Sequence, residues 1–556
     1  MLIVLFNWFL IFVTSYPLGR VINLLIKNDS NLVQNVVVGL IINASILHVL
    51  AFFLPIQSNI LYGFCLLNLS LLVFDFSFYK KSLERLKHWL FTKQSFLLFL
   101  ASIVLAIYSS SSSKINDDGL YYTQTIKWLR EFGFVHGISN LHVSLGLSSS
   151  WHILQSVYVF SDSVYTNDLN GFIFLIYTFL FIYRIVKKSS TIFSVAQYVM
   201  VLFLSVPFLS APNPDFPIIV FTAIALDLFM NKDNYKGVIL IACLGITIKI
   251  TAILLICLGG YCFIIERKKV LESPLLLLVI LSIFSLHIAK NIFQTGYPLY
   301  PIKYFSLNQL EWKTPEPILD YFLHGIKSWS YSNEYKPLAV ENEYQKDMVS
   351  QLLMLLVRGG TKGLINIFIL GTALISLMVF IREGIRKRIS FNESIIILCG
   401  FLNFIIWLFY APQYRFIMPV FILFFSLLVY YAFNKQIIKN NNWLSALMIG
   451  IYSIMFFVGV FGINVSYGGT SKEIGQIDKL SFERLSFPAK QYNFVDVDSI
   501  LVNNNFYYHP NQNRYCWDVK LPCMSSGYER VMWNNFHLRI SQRTENLKDG
   551  FTINNQ

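Results

Sequence analysis

The 556-residue chain has few charged side chains, which make up 13% of its residues, whereas soluble domains carry roughly a quarter. Hydrophobic residues make up 55%, and the mean hydropathy is +0.55. These values exclude a soluble multidomain enzyme. They also exclude intrinsic disorder, because disorder requires low hydrophobicity and high charge. The composition therefore predicts a polytopic membrane protein in which the few charges are the informative residues.

Several chemical motifs are missing from the sequence. It has no CxxC pair and no His/Cys zinc spacing. Neither a Walker spacing nor GxGxxG occurs between a strand and a helix. Of the seven cysteines, only Cys516 and Cys523 lie in a polar stretch. We favour a disulfide between these two, which an outer compartment permits, over two free thiols.

Acidic residues are scarcer than basic ones, 31 against 44, which gives a net charge of +13. In a membrane protein, such an excess indicates positive-inside anchoring and attraction to anionic lipid rather than to nucleic acid. We therefore expect the basic clusters to be cytoplasmic; they lie at 80–93, 184–188, 267–269, 382–388 and 435–439.

Apolar runs long enough to cross a membrane recur along the chain. The run at 237–265 has basic residues on both flanks, which one long helix could not place on the same side of the membrane. This pattern predicts a hairpin of two short helices with its turn near Gly245–Thr251, which contains Lys249. At ~20 residues per span, the runs predict about 14 spans, with the N-terminus outside.

The predicted fold class is an all-α polytopic membrane protein with a small mixed α/β extracytoplasmic C-terminal domain. We divide the chain into an N-terminal transmembrane extension at 1–94, a transmembrane core at 95–463 and the C-terminal domain at 464–556. The core carries outer loops at 110–170 and 291–362. Strand-like patterns lie within the C-terminal domain, at 499–502 and 506–508.

Adjacent acids, Asp117 and Asp118, follow a predicted membrane helix in the first outer loop. Two neighbouring carboxylates repel each other, which costs free energy, so their presence indicates that they bind a cation or a proton, or act as a base. The alternative is that one of them caps the helix that follows. Both interpretations can hold together, because a cap engages one carboxylate and leaves the other free.

Another acid, Asp215, lies in the turn 211–217, which three prolines make rigid. It is either a capped helix start or a second carboxylate facing the first. Lys249 is a functional candidate because it is ionisable within a membrane run, although it could instead snorkel to the interface. The guanidinium of Arg415 suits bidentate binding of a phosphate, although the residue could instead anchor the chain at the membrane interface. Lys290 ends a predicted membrane helix on the outer side.

The first outer loop mixes Gly, Ser and Asn with Trp and His, as at Asn140, His142 and Trp151. Such residues suit hydroxyl-rich ligands, and aromatic faces suit sugar rings. His136, His142 and His152 are candidate metal ligands, although histidines in such a loop are more often plain hydrogen-bonding residues.

This arrangement resembles the GT-C superfamily of integral-membrane glycosyltransferases, and most closely bacterial membrane proteins found among polysaccharide genes. The resemblance covers roughly residues 95–556 and leaves the first three helices as an extension. Many members of that nearer group carry His after the first Tyr of the acidic motif, where this chain has Tyr122. The stretches that carry the resemblance are Asp118-Gly119-Leu120-Tyr121-Tyr122, 140–142, 149–151, 296–301, 516–518 and 521–523.

The resemblance implies roles for these residues. Asp117 or Asp118 would be the general base that deprotonates the acceptor hydroxyl, and Asp215 would be the second acid. A divalent cation, Mg²⁺ or Mn²⁺, would be held by Asp117 or Asp118 together with Asp215, if any metal is bound. The lipid phosphate would be bound by Lys249, Lys290 and Arg415. The sugar or acceptor would contact Tyr121, Tyr122, Asn140, His142 and Trp151.

The implied function is inverting transfer of a sugar from a polyprenyl-phosphate or diphosphate donor to a surface glycan or lipid acceptor. The active site and the C-terminus would then face outward from a bacterial plasma membrane. The expected partners are the lipid-linked donor, the acceptor and membrane lipids, with no nucleic acid. Two alternatives stay open: a polysaccharide polymerase or ligase, and a transporter of lipid-linked sugars.

Overall fold

Helices dominate the computed structural model. It describes residues 1–89, 92–113, 115–159, 168–231, 234–331, 348–357, 360–438, 442–464, 476–489, 495–502, 505–511, 515–524, 532 and 534–555. Parts of both predicted outer loops, including 160–167 and 332–347, therefore lie outside the described residues. The α-helices are α1 Leu2–Leu25, α2 Leu32–Phe53, α3 Ser58–Phe74, α4 Phe76–Trp89, α5 Lys93–Ser109, α6 Thr123–Glu131, α7 Ile138–Leu141, α8 Ser150–Val157, α9 Asp168–Val186, α10 Ile192–Ser205, α11 Asp215–Met230, α12 Tyr235–Ile248, α13 Ile253–Leu271, α14 Pro274–Thr295, α15 Glu316–Tyr331, α16 Met348–Val357, α17 Gly360–Ile385, α18 Phe391–Tyr410, α19 Tyr414–Ala432, α20 Asn442–Phe461 and α21 Phe482–Ser486.

The strands of the described residues lie near the C-terminus and form antiparallel pairs. They pair in chain order, β1 with β2, β3 with β4 and β5 with β6. The β3–β4 hairpin contains both segments that the sequence predicted as strands. The strands are β1 Ile463–Asn464, β2 Gln476–Ile477, β3 Val497–Val502, β4 Asn505–Pro510, β5 Leu538–Gln542 and β6 Phe551–Asn555.

Among the described residues, 8 helices are long and apolar enough to cross a membrane. Shorter apolar helices lie at Ser58–Val73, Lys93–Ser109, Ile192–Leu204 and Tyr235–Ile248. The protein is thus a mostly α-helical membrane protein, as predicted, whereas the number of about 14 spans stays a prediction. The eight long spans are Leu2–Leu25, Leu32–Phe53, Asp168–Val186, Pro274–Thr295, Lys362–Ile385, Phe391–Tyr410, Tyr414–Ala432 and Asn442–Phe461.

The predicted hairpin in the run 237–265 is confirmed. Helix α12 ends at Ile248 and α13 begins at Ile253, so Lys249 lies at the break between them. The two helices pack closely, since a methyl group placed on Gly259 would lie 2.3 Å from Cβ of Ala242. The break brings a charged side chain to the end of two apolar helices rather than to the middle of one.

Helices α13 and α19 separate two groups of charged residues. Helix α13 begins beside Lys249 and carries Lys268 and Lys269 in its last turn. Helix α19 has Arg415 in its first turn and ends shortly before Lys435. Each helix has 19 residues, or about 28 Å at 1.5 Å per residue. Lys249 and Arg415 therefore lie at the opposite ends of these helices from the basic clusters.

The C-terminal strands share a hydrophobic core with the first outer loop. Trp128 of α6 packs with Phe551 of β6, their ring centroids 5.8 Å apart and nearly perpendicular. Tyr507 of β4, together with Leu521 and Met524, joins the same cluster. This shared core holds the segment that follows Asp117 and Asp118 against the C-terminal domain.

Candidate active site

Four charged side chains from four separate segments form an alternating chain of ion pairs. Arg415 Nη1 donates to Asp117 Oδ2 over 2.5 Å, and Arg415 Nε lies 4.0 Å from Asp215 Oδ2. The Lys249 ammonium donates in turn to Asp215 Oδ1. The ion pairs therefore connect the side chains in the order Asp117, Arg415, Asp215, Lys249. They bring together four of the residues that the sequence singled out.

The four ion-paired side chains differ in how deeply they are buried. The side chain of Asp215 is only 3% exposed, whereas those of Asp117 and Arg415 are 21% and 28% exposed. Two carboxylates and two cations balance in formal charge, which offsets part of the cost of removing them from water. A ligand that approaches the cluster therefore meets Asp117 and Arg415 more readily than Asp215.

The acidic motif is held in one turn of π-helix, Asp118–Tyr122, that leads directly into α6. The amide of Thr123 donates to the carbonyl of Asp118, five residues earlier. Such turns are rare and frequently occur at functional sites. Neither acid caps a helix with its side chain here, so the capping alternative is not observed.

Asp117 and Asp118 lie in different environments. Asp118 is fully buried, and its Oδ1 accepts a hydrogen bond from the Thr123 hydroxyl over 2.9 Å. Burial, with a smaller contribution from the charge of Asp117, raises the pKa of Asp118 to about 7, against the hydrogen bonds from Ser113 and Thr123, which lower it. Asp117 instead pairs with Arg415. Only Asp117 of these two acids is exposed enough to contact a ligand.

The raised pKa of Asp118 predicts a pH-dependent stability. Because the pKa rises from 3.8 unfolded to about 7 folded, the folded state holds this proton more tightly. The stability from the protonated carboxyl is present below pH ~4 and is lost as pH rises through ~7. We expect the thermal unfolding midpoint in detergent to fall between pH 5 and pH 8, and Asp118→Asn to reduce that fall. A fall of the same size in Asp118→Asn would contradict the buried-acid assignment.

The turn before α11 is built to place Asp215. The amide of Asp215 donates to Oδ1 of Asn213 over 2.6 Å, and α11 begins without a side-chain cap. Asn170 of α9 donates to the carbonyls of Ala211 and Asn213 over 2.7 and 3.2 Å. Trp151 Nε1 donates to Oδ1 of this same Asn170 over 2.7 Å. Trp151 is fully buried and thus supports the turn, while its predicted contact with a sugar stays a prediction.

The two cations share an aromatic neighbour. The Lys249 ammonium lies 4.2 Å from the centre of the Phe416 ring, and the Arg415 guanidinium lies 5.1 Å from it. Gln413 also holds Arg415, since Oε1 of Gln413 accepts a hydrogen bond from Arg415 Nε over 3.0 Å. The side-chain amide of Gln413 also donates to the carbonyl of Ile326 over 2.9 Å. The arginine is therefore positioned before any ligand arrives.

The tyrosine pair adjoins the acids as well. The Tyr122 hydroxyl donates to Asp117 Oδ2 over 3.4 Å and accepts from Asn213 Nδ2 over 3.4 Å. Burial raises the pKa of Tyr122 well above 10, so this hydroxyl stays protonated and acts as a donor. The ring of Tyr121 packs edge-on against Tyr122, with centroids 4.5 Å apart. Tyr122 thus links the acidic motif to the turn that carries Asp215.

Lys290 is not among the ion-paired residues. It is 1% exposed, and its ammonium donates to the carbonyl of Ser148, just before α8. The Ser148 hydroxyl donates in turn to Gln294 Oε1 over 2.5 Å. This lysine is buried against the segment that precedes α8, and its predicted contact with lipid phosphate stays a prediction.

Asn140 and His142 hold the outer loop together. Asn140 Nδ2 donates to the carbonyls of Trp312 and Phe551 over 2.9 and 3.0 Å, which ties α7 to β6. His142 Nδ1 accepts from the amide of Ser144 over 3.3 Å. Burial lowers the pKa of His142 to about 4, so the ring is neutral. Both side chains are engaged in packing, and their predicted sugar contacts stay predictions.

Asp117 and Asp215 are two of the acids that the sequence assigns to a divalent cation. Asp117 and Asp215 each already pair with a cation of the protein. The described residues bring together no group of three His, Cys, Asp or Glu side chains that could hold a metal ion. Within the described part of the chain, a metal ion at the cluster would have to share these two carboxylates with cations of the protein. The bound Mg²⁺ or Mn²⁺ expected from the sequence stays a prediction, and no step below uses it.

The predicted disulfide between Cys516 and Cys523 is present. It closes a short loop, 516–523, which we call the disulfide loop. The amide of Tyr508 in β4 donates to the carbonyl of Pro522, and the amide of Met524 donates to the carbonyl of Tyr508, each over 3.0 Å. The loop is thus fixed to the β3–β4 hairpin.

Sequence reasoning missed the neutral residues that position the charges: Asn170, Asn213, Gln413 and Thr123. Asn170 could have been found, because an amide at the start of an apolar helix needs a partner. Asn213 and Gln413 lie in short turns, where such side chains are common, and Thr123 begins α6, so nothing in the local sequence distinguishes these three residues.

The fold and the cluster together define a mostly α-helical membrane protein with a cluster of paired charges at one end of its helices. The chain belongs to the family described as Domain of unknown function (DUF8201), whose model matches residues 1–422. The match includes the first three helices and all four ion-paired residues. No curated protein and no solved structure matches the chain.

Proposed function

We propose that the protein is a glycosyltransferase of the outer face of a bacterial plasma membrane. It moves a sugar from a polyprenyl-phosphate or diphosphate donor to a surface-glycan or lipid acceptor. The observation that carries the proposal is the alternating chain Asp117, Arg415, Asp215, Lys249. These four ion-paired side chains would supply a carboxylate base and two phosphate-binding cations within one site.

The location of the cluster supports this side of the membrane. Lys249 and Arg415 lie at the ends of α13 and α19 that face away from the basic residues at 267–269 and Lys435. Lysine and arginine are enriched on the cytoplasmic side. The cluster is then extracytoplasmic, where the head group of a lipid-linked sugar reaches it directly from the bilayer.

In the proposed reaction, Asp117 accepts the proton of an acceptor hydroxyl. The acceptor oxygen forms a bond to the anomeric carbon, while the bond from that carbon to the phosphate oxygen breaks. The bonding electrons leave with the phosphate, and the configuration inverts because attack and departure occur on opposite faces. Arg415 and Lys249 stabilise the charge that develops on the leaving phosphate.

Asp117 suits the role of base better than Asp118 because of access. Asp118 is fully buried, whereas Asp117 is 21% exposed and contacts Arg415. A general base must reach the proton that it abstracts. Asp118 then positions the π-helical turn, and its raised pKa reduces the repulsion between two adjacent acids.

The ion pair between Asp117 and Arg415 links donor binding to release of the proposed base. A donor phosphate that binds Arg415 competes with Asp117 for the same guanidinium. Donor binding therefore frees the Asp117 carboxylate to accept the proton of the acceptor hydroxyl.

Reconstitution tests the proposal against its alternatives. Purified protein in proteoliposomes is given radiolabelled polyprenyl-phosphate sugars, with and without an extract of envelope glycans as acceptor. We expect the label to enter the glycan, with release of polyprenyl phosphate, only when acceptor is present. Movement of the labelled lipid across the bilayer without transfer would identify a transporter. Joining of whole lipid-linked glycan chains would identify a polymerase or ligase.

A further inference from the structure

The disulfide loop contacts the acidic motif directly. The amide of Trp517 donates to the carbonyl of Gly119 over 2.9 Å. The indole lies against the same glycine: a methyl group placed on Gly119 would lie 2.4 Å from Trp517 Cε2 and 2.7 Å from Cζ2. Gly119 is part of the π-helical turn that follows Asp117, so the loop packs on the backbone that carries the base.

Polar contacts fasten the loop beyond the tryptophan. Gln124 Nε2 donates to the carbonyls of Trp517 and Val519 over 2.7 and 3.0 Å. The Lys127 ammonium donates to both the carbonyl and the carboxylate of Asp518, over 2.9 and 3.0 Å. Gln124 and Lys127 belong to α6, which continues from the π-helical turn. The loop therefore grips the turn and the following helix together.

The backbone at Trp517 is held in an unusual conformation. Its φ of 42° lies in the left-handed region, which is strained for a bulky residue. The disulfide between Cys516 and Cys523 closes the loop around this position. The amide of Val519 donates to the carbonyl of Cys516 over 2.9 Å within it. These constraints direct the indole onto Gly119.

We propose that Trp517 and the disulfide loop are a clamp on the π-helical turn and that this clamp sets the position of Asp117 relative to Arg415. Trp517 is a positioning residue in this account, because it acts through Gly119. The functional consequence rests on the proposed role of Asp117 as base. The mechanical contact is independent of that role.

Hydrogen–deuterium exchange of the full-length protein in nanodiscs, without substrate, tests the clamp. In Trp517→Ala, we expect the amides of residues 119–124 to exchange at least about tenfold faster, because a packed tryptophan side chain is lost. The helix α9 serves as the internal reference. Phe506→Ala, which removes an exposed aromatic side chain of the same domain, should leave the exchange of 119–124 unchanged.

A double-mutant cycle identifies the contact that transmits the effect. Gly119→Ala alone should accelerate exchange, since its methyl group collides with the indole. In a Trp517→Leu background, the same substitution should have a smaller effect, because the collision is relieved. Equal effects of Gly119→Ala in both backgrounds, or unchanged exchange in Trp517→Ala, would overturn the clamp.

A kinetic measurement separates positioning from general loss of structure. In the proteoliposome assay, Trp517→Ala should lower kcat without raising the donor KM, and Trp517→Phe should recover most of kcat. An increase in donor KM with kcat unchanged would overturn the positioning role. If the wild-type protein transfers no sugar, the proposed function fails, whereas the exchange results still decide whether the clamp exists.

Discussion

Replacement of Asp117 by Asn is expected to lower the rate of sugar transfer by ~10²–10⁴-fold, the range that general acid–base catalysis contributes. An amide cannot accept the acceptor proton, while the size of the side chain is preserved. Binding of polyprenyl phosphate should not weaken, and it should become tighter, because Arg415 loses the carboxylate that competes for it. Initial rates and binding to the lipid in nanodiscs measure the two effects.

The matched control for this variant is Asp320→Asn. Asp320 lies in another predicted outer segment and forms an ion pair at 2.8 Å with Lys303, which is not a cluster residue. Its replacement should leave the transfer rate within about twofold, since isolated surface ion pairs contribute little. Near-normal transfer by Asp117→Asn would remove this residue from the role of base.

Replacement of Arg415 by Gln is the second change with a large expected effect. It should lower transfer by ~10²–10³-fold, as when one stabilising group is removed from a developing oxyanion. Arg415 contacts Asp117 and lies within 4.0 Å of Asp215, so its loss leaves both carboxylates with less compensating charge. Affinity for polyprenyl phosphate, measured in nanodiscs, should fall together with the rate.

Two further variants show whether charge or geometry matters at this position. Arg415→Lys keeps the charge but loses the planar guanidinium, so we expect intermediate activity. Arg543→Gln is the control, because Arg543 also pairs with an acid, Glu311, and lies over the ring of Trp312, neither of which belongs to the cluster. Equal losses in Arg415→Gln and Arg543→Gln would contradict a specific phosphate site.

Features that depend on local pattern were predicted from the sequence. The hairpin around Lys249 followed from basic residues on both flanks of one apolar run. The β3–β4 hairpin followed from short segments of strand-forming residues, and the disulfide of Cys516 and Cys523 from their position in a polar stretch. Each of these features is determined by neighbours within about 30 residues of the chain, as hydrophobic and charge patterning allow.

Features that depend on packing between distant segments could not be predicted. The sequence singled out Lys249, Lys290 and Arg415 alike. Only the packing shows that the Lys290 ammonium donates a hydrogen bond to the carbonyl of Ser148. The π-helical turn has no sequence signature of its own. Its contact with Trp517 joins residues about 400 positions apart. Asp117 and Asp118 are adjacent in the sequence, yet only the fold shows that one is partly exposed and the other is buried.

The most direct test of the central claim is the composition of the cell-surface glycan, measured by mass spectrometry after deletion of the gene and complementation. We expect that deletion removes one sugar or branch, that the wild-type protein restores it, and that Asp117→Asn, present in the membrane at the same level, does not. Restoration by Asp117→Asn, or loss of the whole polymer rather than one residue of it, would contradict the account.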